Sequence, residues 1–93
     1  MIKSFRHRGL KRLYERGDRG KIRADHIDKV ERIIARLDEA PHAAHMDLPG
    51  FKLHELKGNR AGTWAVWVSG NWRITFRFDN KGDATNVNYE DYH

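Results

Sequence analysis

At Pro49-Gly50 the hydrophobic period of the chain changes, and no other feature restricts the fold as much. Upstream, Ile27, Val30, Ile33, Ile34 and Leu37 recur at helical spacing. Downstream, Trp72, Ile74, Phe76 and Phe78 alternate with Asn71, Arg73, Thr75 and Arg77. A stripe at period 3.6 buries one side of a helix, and a strict alternation buries one face of a strand. The chain is therefore expected to place its helices first and its strands second, with the helices laid on the apolar face of the sheet.

Ile2 to Phe5 has the composition of a short strand. From His7 to Arg16 the pattern is helical, with Leu10, Leu13 and Tyr14 on one face and Gly17 as the stop signal. The second helix carries the long apolar stripe. Asp25 is its expected N-cap, with Asp28 three residues on, and Pro41 closes it. Four strands are expected after the connector: Phe51 to Lys57, Gly62 to Ser69, the alternating run through Phe78, and Ala84 to Tyr89. Ser69-Gly70-Asn71 is a tight hairpin connection, and Asn80-Lys81-Gly82-Asp83 is a second turn. With 93 residues, no repeat and no dividing linker, residues 1–93 form a single α+β domain with two N-terminal helices on a mainly antiparallel sheet.

The formal charge is +5, and its distribution says more than its sum. Residues 1–23 hold nine basic and two acidic side chains, net +7, whereas residues 24–50 hold three and six, net −3. A basic N-terminal end favours encounter with polyanions, nucleic acid above all, although a well-charged soluble surface accounts for the same composition. There is no cysteine, so no disulfide braces the core, and a reducing compartment fits. No apolar run is long enough for a membrane span, and the N-terminus has no secretory apolar segment. A cytoplasmic location is the expectation.

The last third holds a sparse set of ionisable groups on strand-like runs: His54, Lys57, Arg73, Asp91, Tyr92 and His93. Cleaving RNA through its own 2′-hydroxyl needs a base for that hydroxyl, cations for the charge on the phosphate oxygens, and an acid for the departing 5′-oxygen. Histidine side chains fill either proton role near neutral pH, and guanidinium groups suit phosphate. This kit requires no metal or other cofactor. His42 and His45 lack a second pair of ligands and read as surface histidines. The residues of the kit each have a plainer reading: an exposed strand histidine, charges on a solvated sheet face, and a frayed terminus. Strand parity also divides them. Asp91 and His93 share the parity of Val87 and Tyr89, so the chain is expected to bend or leave the sheet after about Tyr89 if Arg73, Asp91 and His93 are to meet.

Four stretches together resemble a known family: Ile2-Lys3-Ser4-Phe5 with Gly9-Leu10-Lys11, Lys52-Leu53-His54 with Leu56-Lys57-Gly58, Asn71-Trp72-Arg73-Ile74-Thr75-Phe76, and Asn88-Tyr89-Glu90-Asp91-Tyr92-His93. The chain resembles the HigB branch of the RelE toxin superfamily nearly end to end. The resemblance implies a microbial ribonuclease type of α+β fold and cleavage of messenger RNA in the ribosomal A site. It implies His54, Asp91, Tyr92 and His93 as the catalytic set, and Lys57, Asn71 and Arg73 as groups that bind the phosphate and neighbouring bases. The implied partners are the ribosome with its messenger RNA and a HigA-like helix-turn-helix antitoxin that neutralises the toxin. Related ParE toxins share the fold and poison gyrase, but do not need an acid–base set. A noncatalytic basic RNA-binding module is the third reading.

Overall fold

The computed structural model describes residues 1–91. Two helices, α1 (Arg8–Arg16) and α2 (Ile27–Glu39), precede four strands, β1 (His54–Glu55), β2 (Trp64–Ser69), β3 (Trp72–Phe78) and β4 (Ala84–Asp91). The strands form one antiparallel sheet in the order β1-β2-β3-β4. The N-terminal segment lies outside β4 and runs parallel to it, through bridges Ile2–Ala84 and Phe5–Val87. The expected α+β architecture is what the chain adopts, with Ile2 to Phe5 contributing isolated bridges rather than a full strand.

α1 begins at His7, whose ring Nδ1 accepts the Leu10 N–H at 3.1 Å. It ends at Gly17, which takes the left-handed conformation and donates its N–H to the Leu13 carbonyl at 2.9 Å. Leu10 and Leu13 enter the core, but Tyr14 stays at its margin. The Tyr14 hydroxyl donates to Asp38 Oδ1 at 2.7 Å, and its ring packs on Phe5 at 5.3 Å.

The start of α2 differs from the expected capping box. A 3₁₀ turn over Ala24–His26 leads directly into the helix, so the residue before Ile27 is His26, already in helical conformation, and no side chain caps it. Asp25 falls inside that turn and lies against Arg23 Nε at 3.4 Å. The apolar stripe itself is as expected: Val30, Ile33, Ile34 and Leu37 are buried.

These helical residues share one core with Val66, Val68, Ile74, Phe76, Val87 and Tyr89 of the sheet. The connector adds Met46, fully buried in a second 3₁₀ turn, Ala43–Met46. β3 has the expected bounds. β1 is much shorter than expected, because Lys52 adopts a positive φ of 49° and a third 3₁₀ turn, Gly58–Arg60, follows Lys57. β2 likewise begins only at Trp64. β4 carries a register shift where Asn86 takes φ 53°. The extra residue lets Ala84 and Val87, three apart, both face the core. Among the described residues no helix is long and apolar enough to cross a membrane.

Candidate active site on the polar face of the sheet

Residues directly opposite each other in an antiparallel pair project from the same face. The register aligns His54 with Ala65, Ala65 with Thr75, and Thr75 with Asn88. The adjoining row runs Trp67, Arg73, Glu90. Both rows lie on the side away from the core residues Val66, Ile74 and Tyr89, which form a row of their own. His54 and Arg73 therefore share the polar face, on strands separated by β2.

His54 is exposed, with ring Nδ1 3.1 Å from the Lys52 carbonyl. Lys57 is exposed at the entrance to the Gly58–Arg60 turn. Asn71 is exposed in the β2–β3 connection, one residue before β3. Arg73 is half-buried, and its guanidinium donates to the carbonyls of Gly70 and Trp72 at 3.2 and 3.3 Å. The guanidinium is thus held next to the hairpin turn that carries Asn71.

Asp91 is the last described residue and pairs with Trp72, beside Arg73 and its partner Glu90. The expected bend after Tyr89 does not occur, because the pairing with β3 continues through Glu90 and Asp91. Asp91 consequently has the parity of Trp72, opposite to that of Arg73, although both stand at the same end of the sheet. Tyr92 and His93 lie outside the described residues. The candidates fall into two groups: Asn71, Arg73 and Asp91 around one end of β3 and β4, and His54 with Lys57 around the edge strand. Three strand spacings separate β1 from β4, about 14 Å.

The middle of the polar face is more ordered than its sequence suggests. Arg60 reaches from the β1–β2 loop to Glu90 on β4 and makes two parallel bonds, Nη1 to Oε1 and Nη2 to Oε2, both 2.9 Å. Glu90 Oε2 also accepts from the Thr75 hydroxyl at 2.9 Å and the Asn88 amide at 3.2 Å. The bridge passes over β2 and β3, where Ala65 and Thr75 are buried. The hydrogen bond from Arg60 is the main cause that holds the Glu90 carboxyl below the usual carboxylate range. Partial burial opposes it, and Thr75 and Asn88 add to it. None of these four residues stood out in the sequence. Glu90 carried one signal, its place on the polar parity of β4, whereas nothing local connects it with Arg60, thirty residues away.

Behind the site, His26 is buried and its Nδ1 lies 2.6 Å from the Tyr89 hydroxyl. Trp72 stacks on Tyr89 at 4.6 Å, and His7 meets it edge-on at 5.4 Å. Burial raises the pKa of the Tyr89 phenol and lowers that of the His7 imidazole. His26 stands four residues before Val30, in phase with the apolar stripe, which was the signal for its burial. On the β2 side, the ammonium groups of Lys29 and Lys52 lie 4.2 and 4.3 Å from the centre of the Trp67 ring. Among the described residues, no three His, Cys, Asp or Glu side chains gather as metal ligands, and His42 and His45 simply pack edge-on at 5.7 Å.

Comparison with known proteins identifies the family. Residues 3–93 match the family described as the RelE-like toxin of the type II toxin–antitoxin system HigB. The chain is 46% identical to Endoribonuclease HigB of Proteus vulgaris over 93 residues, covering all of both chains. Two helices on a four-stranded antiparallel sheet, with the sequence match running from the first bridge to the end of the chain, make this protein a member of the HigB family of RelE-like toxins.

Proposed function

We propose that this toxin is an endoribonuclease that cuts messenger RNA in the A site of the translating bacterial ribosome. The observation that carries the reading is the placement of His54 and Arg73 on one face of one sheet. It is supported by the full-length similarity to a protein named as an endoribonuclease. In the reaction, a base removes the proton of the 2′-hydroxyl. The 2′-oxygen then attacks the adjacent phosphorus, the bond to the 5′-oxygen breaks, and an acid supplies the proton to that oxygen. The products are a 2′,3′-cyclic phosphate and a 5′-hydroxyl.

His54 or Asp91 is the base and His93 the acid in this reading; register favours His54, which shares the polar face with Arg73, whereas Asp91 has the opposite parity. Arg73 and Lys57 neutralise the charge that builds on the phosphate oxygens, Arg73 with a planar two-pronged contact. Asn71, at the hairpin tip beside Arg73, contacts a neighbouring base, and Tyr92 stacks on a nucleotide. The two groups of candidates stand on opposite sides of β2, and RNA lying across the polar face spans from one to the other. The ribosome supplies the orientation of the RNA that this small surface does not. The activity is metal-independent, acts in the cytoplasm, and is neutralised by a HigA-like helix-turn-helix antitoxin.

The test is to map RNA ends after adding purified protein to translating ribosomes, with naked RNA as control. Cuts confined to A-site codons, with cyclic-phosphate ends that survive chelation of free metal, are the expected result. Equal cutting of naked RNA overturns the ribosome requirement. Intact messenger RNA together with trapped, cleaved gyrase complexes overturns the whole reading.

A further inference from the structure

A second part of the polar face has a chemistry of its own. Beside the Arg60–Glu90 bridge is a cleft of about 230 Å³ between the β1–β2 loop and the N-terminal segment. Arg6, Arg60 and Arg77 line it, together with the amides of Asn59, Asn86 and Asn88. Its charged groups are three guanidiniums, and its amide and hydroxyl groups offer further donors. No carboxylate among the described residues lines it, and the neighbouring Glu90 already accepts from Arg60, Thr75 and Asn88, while Glu55 accepts the Gly62 N–H at 2.9 Å. Among the described residues neither Arg6 nor Arg77 forms an ion pair.

Two features show that the cleft is built by the fold. Arg77 Nη1 donates to the Thr63 hydroxyl at 3.0 Å and the Ala61 carbonyl at 3.4 Å, which holds the guanidinium against the loop. Asn86 owes its place to the β4 bulge, where its positive φ is fixed by a hydrogen bond from its N–H to Ser4 Oγ at 2.9 Å. That contact also anchors the segment carrying Arg6. A pocket of fixed donors with excess positive charge selects an oxyanion, and a guanidinium cluster suits a phosphate diester.

We propose that this cleft binds an RNA phosphodiester other than the one being cut. The proposal rests on the reading of the chain as an RNA-cutting toxin. Arg73 and Arg77 are four residues apart on β3, about 13 Å of strand, too far for one phosphate to bridge. Thr75 and Asn88 line the cleft and share a row with His54, so a strand lying across the candidate active site continues into it. The diester belongs either to the messenger or to ribosomal RNA beside the A site.

The experiment measures binding of the toxin to ribosomes programmed with a message that is 2′-deoxy at the cut site, over a series of salt concentrations. Arg6→Gln and Arg77→Gln are each expected to weaken binding about 10-fold. Each also reduces the slope of log affinity against log salt by about 0.7. Arg36→Gln, on the exposed side of α2, is the control and leaves both unchanged. A methylphosphonate linkage moved along the message separates the two sources. If the diester is the messenger's, one position abolishes the difference between Arg6→Gln and wild type; if it is ribosomal, the difference persists at every position. Arg6 is exposed and outside the loop contacts, so Arg6→Gln decides the matter even where Arg77→Gln disturbs the fold. An Arg6→Gln protein that melts normally and binds with wild-type affinity and salt slope overturns the proposal, as does an equal loss in Arg36→Gln. Because the message is uncleavable, a toxin that binds but does not cut an ordinary message contradicts the ribonuclease reading alone.

Discussion

The two faces of the sheet are buried by different means. On the helix side, Val66, Ile74 and Phe76 reach zero exposure against Leu10, Val30, Ile33 and Leu37, through shape and apolar contact alone. On the other side Thr75 is nearly as inaccessible, at 2% exposure, but beneath a hydrogen-bonded bridge from Arg60 to Glu90. The first face is held almost entirely by nondirectional apolar contact. The second holds Arg60, Glu90, Thr75 and Asn88 paired in fixed positions while leaving His54, Asn71 and the cleft of Arg6 and Arg77 open to solvent. Alternation in a strand therefore identifies the apolar side, but does not say that the polar side is merely wet.

The contrast can be broken most forcefully from the helix side. Phe76→Ala removes the largest fully buried side chain among the described residues and should cost about 3–5 kcal/mol of stability, read from denaturant midpoints. A loss below 1 kcal/mol would mean that the core is not centred on β3. On the polar side, Arg73→Ala is expected to slow cleavage roughly 10- to 1000-fold while changing stability by about 1 kcal/mol or less. Arg73→Lys should recover part of the rate, since the ammonium keeps the charge but not the fork. Full toxicity of Arg73→Ala would remove this residue from the site.

A smaller effect is expected at a buried polar pair in the core, His26 with Tyr89. Tyr89→Phe deletes the hydroxyl 2.6 Å from His26 Nδ1 and should cost about 1–3 kcal/mol, because the imidazole stays buried without its partner. Tyr89→Phe melting as wild type would show that the pair adds nothing. The smallest expected effect concerns pH. Glu90 has a carboxyl pKa depressed in the folded state, chiefly by Arg60. The unfolded chain therefore takes up its proton first as pH falls. The stability contributed by Glu90 is complete above its ordinary value of 4.5 and is lost as pH drops through the folded value. Glu90→Gln should lower stability modestly at neutral pH and flatten the acid limb below about pH 4.5. Parallel acid limbs for the two proteins would show that the bridge is not coupled to folding.

What the residues disclosed by themselves follows from how local each determinant is. The bounds of β3 were legible because strict alternation from Trp72 to Phe78 sits between two turns, and Gly17 marked the end of α1 because the left-handed position favours glycine. The start of α2 departs from the local signal because a 3₁₀ turn takes the place of an N-cap at Asp25. The bulge at Asn86 depends on Ser4, at the other end of the chain, and β1 is cut short by the backbone at Lys52. Arg73 could be assigned to the polar face from its own strand. The same assignment for His54 required the pairing with Ala65, which no local pattern supplies. The continuation of β4 through Asp91 likewise follows from pairing with Trp72 rather than from the residues of β4.

The central claim is that the polar face performs the reaction and the helix-side face holds the fold. Single-turnover cleavage by His54→Ala on programmed ribosomes, with thermal melting of the same protein, tests it most directly. His54 is exposed on a two-residue strand, with its ring Nδ1 3.1 Å from the Lys52 carbonyl. The expected result is an unchanged melting temperature and cleavage slower by about 10²- to 10⁴-fold, the range for loss of a general acid or base. A His54→Ala protein that melts normally and cuts at the wild-type rate would contradict the claim.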